Sequence, residues 1–386
     1  MRSSAPTRDC GPGSKLRVGF DARWYNRSGV GTYVAGLLGV LSRQSQLELV
    51  IYEDAANPVP DLAPGCIRKQ VLSGKYSWAG QIELARLCRQ DRLNLFHSPF
   101  YIAPFLAGCP VVITVHDLIP FLFPITSWPK QILVKLGYRR AVRKAAHVVA
   151  VSGHTANDLQ KLLHVPRERI SVIHNAARRD LFQPEKQPGE LTYLCHKYHI
   201  RPPYVMAASA RNWQTKNLHA TLAALDLVRR LSRTDFQVVV FGPEDGLRAI
   251  ENVQNNVRAL GPIPGSDLAI LFRNAEVFIA PSLYEGFGLP VLEAMSCGCA
   301  VIASNAGALP EIVGRGGQAF APLDITVMAH AVVDLLCRPD VLQRWRNSAL
   351  RRAEDFSWER AAKETLRVYH HVAFGSQPEK MLVAAD

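Results

Sequence analysis

The stretch EVFIAPSLYEGFGLPVLEAMSCG, Glu276 to Gly298, decides the fold class. Its opening run EVFIAPS is the composition of a strand buried on both faces. PVLEAMSCG has the marks of a helix: Pro290 suits a first turn, where its missing amide hydrogen costs nothing, and Gly298 suits the end. EGFGL therefore joins the carboxyl end of a strand to the amino end of a helix. Unpaired backbone amides and the helix dipole make that junction attractive to anions, phosphates above all. Gly286 and Gly288 let the backbone approach a ligand, so amides from Gly286 through Phe287 and Gly288 to Leu289 can cradle a phosphate. Glu285 and Glu293 need a different task, because carboxylates repel phosphate. Accepting hydrogen bonds from the vicinal hydroxyls of a ribose or hexose is such a task. A nucleotide sugar carries both sets of hydroxyls with a diphosphate between them. The spacing also fits a plainer arrangement, with Glu293 near the helix dipole and Glu285 solvated.

The same grammar recurs along the chain. Short β-branched runs alternate with helical periodicity, which predicts parallel sheets covered by helices. Strands are expected at LRVGF, LELVIY, LNLFH, VVITVH, HVVAVS and ISVIHN in the first half, and at YVMAAS, FQVVVFG, VRALG, EVFIAP and AVIAS in the second. TYVAGLLGVLSR, LHATLAALDLVRRL and DLAILFRN read as helices between them. Two doubly wound α/β domains follow, residues 1–184 and 185–357, with the proline- and charge-rich FQPEKQPGE as the hinge and their strand ends around one cleft. A second strand-to-helix junction, ARNWQTKNLHATL, carries Arg211 and Lys216, two cations suited to a diphosphate if the junctions converge.

Charge separates the halves. Up to Pro184 the chain has 24 Lys and Arg against 12 Asp and Glu, and from Glu185 onward 21 against 21. The basic half is expected to meet something anionic. WPKQILVKLGYRRAVRKAAHV, Trp128 to Val148, places Ile132, Leu136 and Ala145 toward one face and Lys135, Arg139, Arg143 and Lys144 toward others. It reads either as a core helix with a solvated basic face or as a surface for anionic lipid headgroups. No stretch is apolar and long enough to span a bilayer, and no secretion signal is read at the N-terminus, so a cytoplasmic protein is expected, with peripheral membrane contact open. The scattered cysteines read as reduced thiols, and Cys297 with Cys299 as small residues at a helix-to-strand turn rather than metal ligands. SGVGTYVAG lacks the GxGxxG spacing, which argues against a nicotinamide-dependent oxidoreductase.

SLYEGFGLPVLEAMSCGCAVIASNAGALPEIVG resembles the signature region of the retaining glycosyltransferases of family GT4, the group 1 glycosyltransferases with the GT-B fold. Glu285 and Glu293 match its paired glutamates, Arg211 and Lys216 its cations, Gly29 and Gly31 its glycine-bearing first loop, and His116 in VVITVHD its N-terminal-domain histidine. The resemblance implies that Arg211 and Lys216 bind the diphosphate and that Glu293 holds the ribose. It implies that Glu285 contacts the transferred sugar and that His116 lines that sugar and positions the reacting groups. Gly29 and Gly31 would approach the phosphates, and the base would lie near Pro262 and Ile263. The last helix, about 358–373, would cross back onto the N-terminal domain. The implied reaction is metal-independent hexosyl transfer with retention, needing no cofactor beyond the donor. The style of GFDAR, SGVGTYV and VHDLIPFLFP points to mannose from GDP-mannose in bacterial polysaccharide assembly. The acceptor would be a saccharide or lipid-linked saccharide, with no nucleic acid as partner. A UDP-hexose donor, or a protein that binds nucleotide sugars without catalysis, stands as the alternative.

Overall fold

In the computed structural model the described residues are 15–375, apart from 26–27, 61, 105, 211–212, 233 and 248–255. The chain divides into two compact units, one of residues up to Asn175 together with those from Trp358 onward, the other from Ala176 to Ser357.

The first unit is built on seven parallel strands: β1 (Leu16–Asp21), β2 (Leu47–Glu53), β3 (Ile67–Gln70), β4 (Leu95–Ser98), β5 (Val111–Val115), β6 (His147–Ala150) and β7 (Ile170–Val172). Their order in the sheet is β3-β2-β1-β4-β5-β6-β7. Helices α1 (Gly29–Leu41), α2 (Trp78–Gln90), α3 (Ile119–Leu122), α4 (Trp128–Lys144) and α5 (Gly153–Leu163) make the connections. The central strands are apolar without alternation because helices cover both faces; β5 is buried at every residue.

The second unit carries six parallel strands, β8 (Tyr204–Ala208), β9 (Gln237–Phe241), β10 (Val257–Leu260), β11 (Val277–Ala280), β12 (Ala300–Ser304) and β13 (Gln318–Phe320), in the order β10-β9-β8-β11-β12-β13. Its helices are α6 (Glu190–Tyr198), α7 (Trp213–Lys216), α8 (Leu218–Ser232), α9 (Glu244–Leu247), α10 (Gly265–Asn274), α11 (Leu289–Ser296), α12 (Leu309–Val313), α13 (Ile325–Cys337) and α14 (Pro339–Ala353). The chain leaves β8 toward one side and β11 toward the other, so the sheet has its switch point between these two neighbours. The final helix, α15 (Trp358–Phe374), belongs to the first unit and packs on α1. Gly36 makes room for it: a Cβ there would stand 2.1 Å from the Trp358 ring.

The units part at Asn175, earlier than the expected hinge after Pro184. Residues 176–184 are anchored rather than loose. Phe182 is buried beside Phe272, and the Gln183 carbonyl accepts a hydrogen bond from Arg273 Nη1 at 3.2 Å. Burying a phenylalanine stabilises by about 1.5–3 kcal/mol, which outweighs the proline and charge content of the segment.

Two further expectations change. SGVGTYV is the first turn of α1 rather than a loop: Ser28 caps the helix, its Oγ accepting from the Gly31 amide at 3.4 Å. In α4 the buried residues are Tyr138, Ala141 and Val142, joined by Ala145 at the cap. Ile132 and Leu136, expected to share a face with Ala145, are exposed.

Candidate active site

The loop after β11 and the start of α11 form a built site in the second unit. Gly288 takes φ +100 and caps α11, with Pro290 in the first turn and no side chain capping the end. The N-terminus of α11 is thus open to an anion. Gly286 is not among the left-handed glycines, so only the second glycine of the loop is required by backbone conformation. Gly298 ends the helix at φ +71, and Cys297 and Cys299 beside it are buried free thiols.

The loop after β8 comes to the same place, because β8 and β11 are neighbours at the switch point. Leu283 N donates to the Thr215 carbonyl at 2.7 Å. Asn217, in the left-handed region at φ +53, donates from Nδ2 to the carbonyls of Pro281 and Pro322. These bonds fix Lys216 against Glu285. Lys216 Nζ donates to Glu285 Oε1 at 2.5 Å, and Ser282 Oγ donates to the same oxygen at 2.7 Å. Ser282 is in turn held by Ser304, whose Oγ donates to the Ser282 carbonyl. A crevice lined by Ala208, Lys216, Ser282, Glu285 and Gly288 opens there. Lys216 and Glu285, given separate ligand groups in the sequence reading, neutralise each other in this state. An anion at the helix end would give Lys216 a second partner, and a ligand hydroxyl would give Glu285 a new donor.

Glu293 stands in the second turn of α11 and is 9% exposed. Among the described residues nothing donates a hydrogen bond to its carboxylate, and burial pushes its pKa up to about 7. A buried acid without donors fits a group whose partners arrive with a ligand. It also predicts a pH signature. The folded pKa lies above the ordinary value of 4.5, so the folded state holds the extra proton between about pH 4.5 and 7. Stability falls as pH rises through that window, by at most about 3 kcal/mol, and levels off above it. Buried histidines act oppositely: burial lowers His97 to about 3 and His116 to about 4, so their contribution is present above pH 6.5 and lost on acidification. Denaturant unfolding of wild type and Glu293→Gln across pH 4.5 to 8 isolates the acid; the difference should shrink toward low pH, and a pH-independent difference would contradict it.

In the first unit His116 follows β5 directly. Its Nε2 lies 2.9 Å from the Pro99 carbonyl, and its ring meets the edge of Tyr33 at 5.0 Å. Asp117 Oδ1 accepts from the Ile119 amide, a local fold contact. Behind His116 runs a buried chain that the sequence reading missed. Tyr33 Oη and Thr114 Oγ1 are 2.8 Å apart, Thr114 Oγ1 lies 2.8 Å from His97 Nε2, and His97 Nδ1 lies 2.6 Å from Tyr369 Oη. Its only sequence signal was a histidine and a threonine among the apolar residues of β4 and β5. Gly29 and Gly31 occupy the first turn of α1 in this unit, and Ile263 lies partly buried between β10 and α10 in the other. Arg211 lies outside the described residues.

Residues 27–180 match the family model "Glycosyltransferase Family 4", and residues 202–338 match "Glycosyl transferases group 1". The chain belongs to the group 1, family 4 glycosyltransferases. It is 29% identical over 288 residues to the O-antigen chain mannosyltransferase B of Escherichia coli, covering 71% of this chain and 74% of that one. It is 31% identical over 286 residues to the MMP alpha-(1->4)-mannosyltransferase of Mycolicibacterium hassiacum, covering 68% of this chain and 65% of the relative. Among solved structures, sucrose-phosphate synthase from Thermosynechococcus elongatus superposes with a TM-score of 0.73 at 18% identity, covering 94% of this chain and all of that one. The fold of this glycosyltransferase is therefore GT-B. The switch-point crevice of the second unit, with its open helix end, paired Lys216 and Glu285 and donor-free Glu293, stands where open α/β sheets generally bind ligands.

Proposed function

We propose that this glycosyltransferase moves mannose from GDP-mannose onto a saccharide or lipid-linked saccharide, with retention of configuration. The observation that carries the reading is the convergence of the α11 N-terminus, Lys216 and Glu285 at the β8/β11 switch point. Mannose is favoured because the two relatives compared above are mannosyltransferases by name. A UDP-hexose is the competing donor.

In this reading the diphosphate lies on the α11 amides, with Lys216 and Arg211 meeting the charge that develops as the glycosidic bond breaks. Glu285 turns from Lys216 to the departing sugar, and Glu293 accepts from the ribose hydroxyls. Ile263 is assigned to the base, His116 to the donor sugar, and Gly29 and Gly31 to the phosphates. No carboxylate nucleophile is assigned, so the acceptor attacks on the face the diphosphate leaves, and protein cations rather than a metal neutralise that group. A thermal-shift series with GDP, UDP and ADP and their hexose conjugates tests the donor. GDP and GDP-mannose should raise the melting temperature most; a larger shift with UDP-glucose would transfer the reading to the competing donor.

The acceptor side is proposed to lie against anionic lipid. Helix α4 carries Lys130, Lys135, Arg139, Arg140, Arg143 and Lys144 and no acid. Trp128 is 77% and Leu133 67% exposed, and Trp78 of α2 lies beneath the Arg140 guanidinium, 5.8 Å from it. Exposed tryptophan and leucine beside cations suit a headgroup boundary. Among the described residues no helix is long and apolar enough to cross a membrane. Flotation with vesicles containing phosphatidylglycerol should recover the wild type and lose a Trp128→Ala, Leu133→Ala variant; equal recovery of both would refute this surface.

A further inference from the structure

A cavity of about 440 Å³ lies in the first unit, between the open edge of β7 and one face of α15. Its size is that of a small-molecule site. His147 at the start of β6 and Ser171 in β7 line it from the sheet, Glu364, Arg367 and His371 from the helix, and Arg167 from the turn before β7. Residues 364, 367, 368 and 371 share one helical face by their spacing, while Thr365 and Tyr369 are buried on another.

The charges around this cavity are unbalanced. Arg167 Nη1 donates to the Ile170 carbonyl at 2.6 Å, which orients the guanidinium and leaves its other donors available. Among the described residues neither Arg167 nor Arg367 has an ion pair with a carboxylate, and the acid in the lining, Glu364, is paired with Arg360 at 3.2 Å. His147 is 5% exposed; its Nε2 lies 2.9 Å from Ser171 Oγ and its ring stands edge-on to His371, 5.8 Å away. Arg169, close behind, is occupied by the carbonyls of Val142 and Ala145. Two arginines without carboxylate partners line this one concavity, a lining suited to a phosphate dianion. The rest of the lining combines a hydroxyl, two imidazoles and a carboxylate with the aliphatic side chains of Ile170, Val172, Ile173 and Val368, so that hydroxyls find polar partners while the C–H face of a sugar ring packs on apolar surface.

We propose that this cavity is a second ligand site, for a phosphorylated sugar or similar polyol phosphate. Arg167 and Arg367 hold the phosphate, and Ser171, His371 and Glu364 meet the hydroxyls. An occupant would tie α15 to the sheet edge. That helix also carries Tyr369, whose hydroxyl is bonded to His97 in the chain behind His116, so occupancy is transmitted toward the β5 histidine without contact with the second unit.

The test is isothermal titration of the full chain, saturated with GDP to occupy the nucleotide site, with glucose 6-phosphate, glucose and inorganic phosphate. Glucose 6-phosphate should bind more tightly than inorganic phosphate, and glucose should not bind. The Arg167→Gln, Arg367→Gln variant, altered only at exposed side chains, should keep the wild-type melting temperature and lose at least about tenfold in affinity for glucose 6-phosphate. Equal affinity in wild type and variant would overturn the assignment, as would no heat at about 10 mM of either phosphate. A parallel arm with phosphatidic acid vesicles separates the sources. Vesicle binding that needs both arginines, without glucose 6-phosphate binding, would overturn the sugar phosphate in favour of a lipid headgroup.

Discussion

Replacing Glu285 by alanine is expected to lower turnover by about 10²- to 10³-fold while leaving nucleoside diphosphate affinity within a few fold. The carboxylate accepts from Lys216 and Ser282, and its backbone carbonyl accepts from Ala308 at 2.9 Å. Only the side-chain bonds are lost in the variant, so the loop keeps its backbone anchor. Lys216 is released from its ion pair and is then better placed to meet the diphosphate, which is why binding should survive. In the proposed role, the sugar then loses a carboxylate now held by Lys216 and Ser282. Glu285→Gln should be intermediate, since an amide oxygen still accepts from Ser282. Steady-state transfer rates measured beside calorimetric GDP affinity separate the outcomes; undiminished turnover in Glu285→Ala would remove the residue from the reaction.

The second large effect is expected far from Glu285 in sequence. Gly307 takes φ +61, and a Cβ there would stand 2.5 Å from both the amide nitrogen and the carbonyl oxygen of Glu285. Backbone cannot swing aside as a flexible side chain does. Gly307→Ala must therefore displace the glutamate loop or its own turn, and the left-handed conformation alone costs on the order of 1–3 kcal/mol. The melting temperature should fall by several degrees. Turnover should fall at least tenfold even where the protein is fully folded, because Glu285 leaves Lys216. Gly39→Ala is the control: nothing lies within 4 Å of its added methyl, and helix propensity favours the change. Calorimetry and turnover on both variants test the pair; equal behaviour would show that the loop does not depend on Gly307.

The strands at the active site were legible because parallel strands covered on both faces leave uninterrupted apolar runs such as VFIA and AVIAS. Two edge strands were not. β3 reads IRKQ and alternates between half-buried and exposed, and β13 has only three residues. Edge position removes the apolar signal that reveals central strands. The loop–helix junction was read correctly from Pro290 and Gly298, whose demands are local. The pairing of Lys216 with Glu285 was beyond reach, since it depends on two loops 69 residues apart in the chain meeting at the switch point. Gly307 was missed for the same reason: its constraint comes from the backbone of Glu285, not from its neighbours. The early boundary at Asn175 reflects Phe182 finding Phe272, a long-range contact that composition does not announce.

The role proposed for Glu285 is to serve the departure of a sugar whose configuration is retained. Proton NMR of the anomeric region, following the mannose first transferred or released from GDP-mannose, tests it most directly. The α configuration of the donor should appear first with wild type, and the signal should be nearly abolished with Glu285→Ala. A β anomer appearing first, or equal rates from the two proteins, would contradict it.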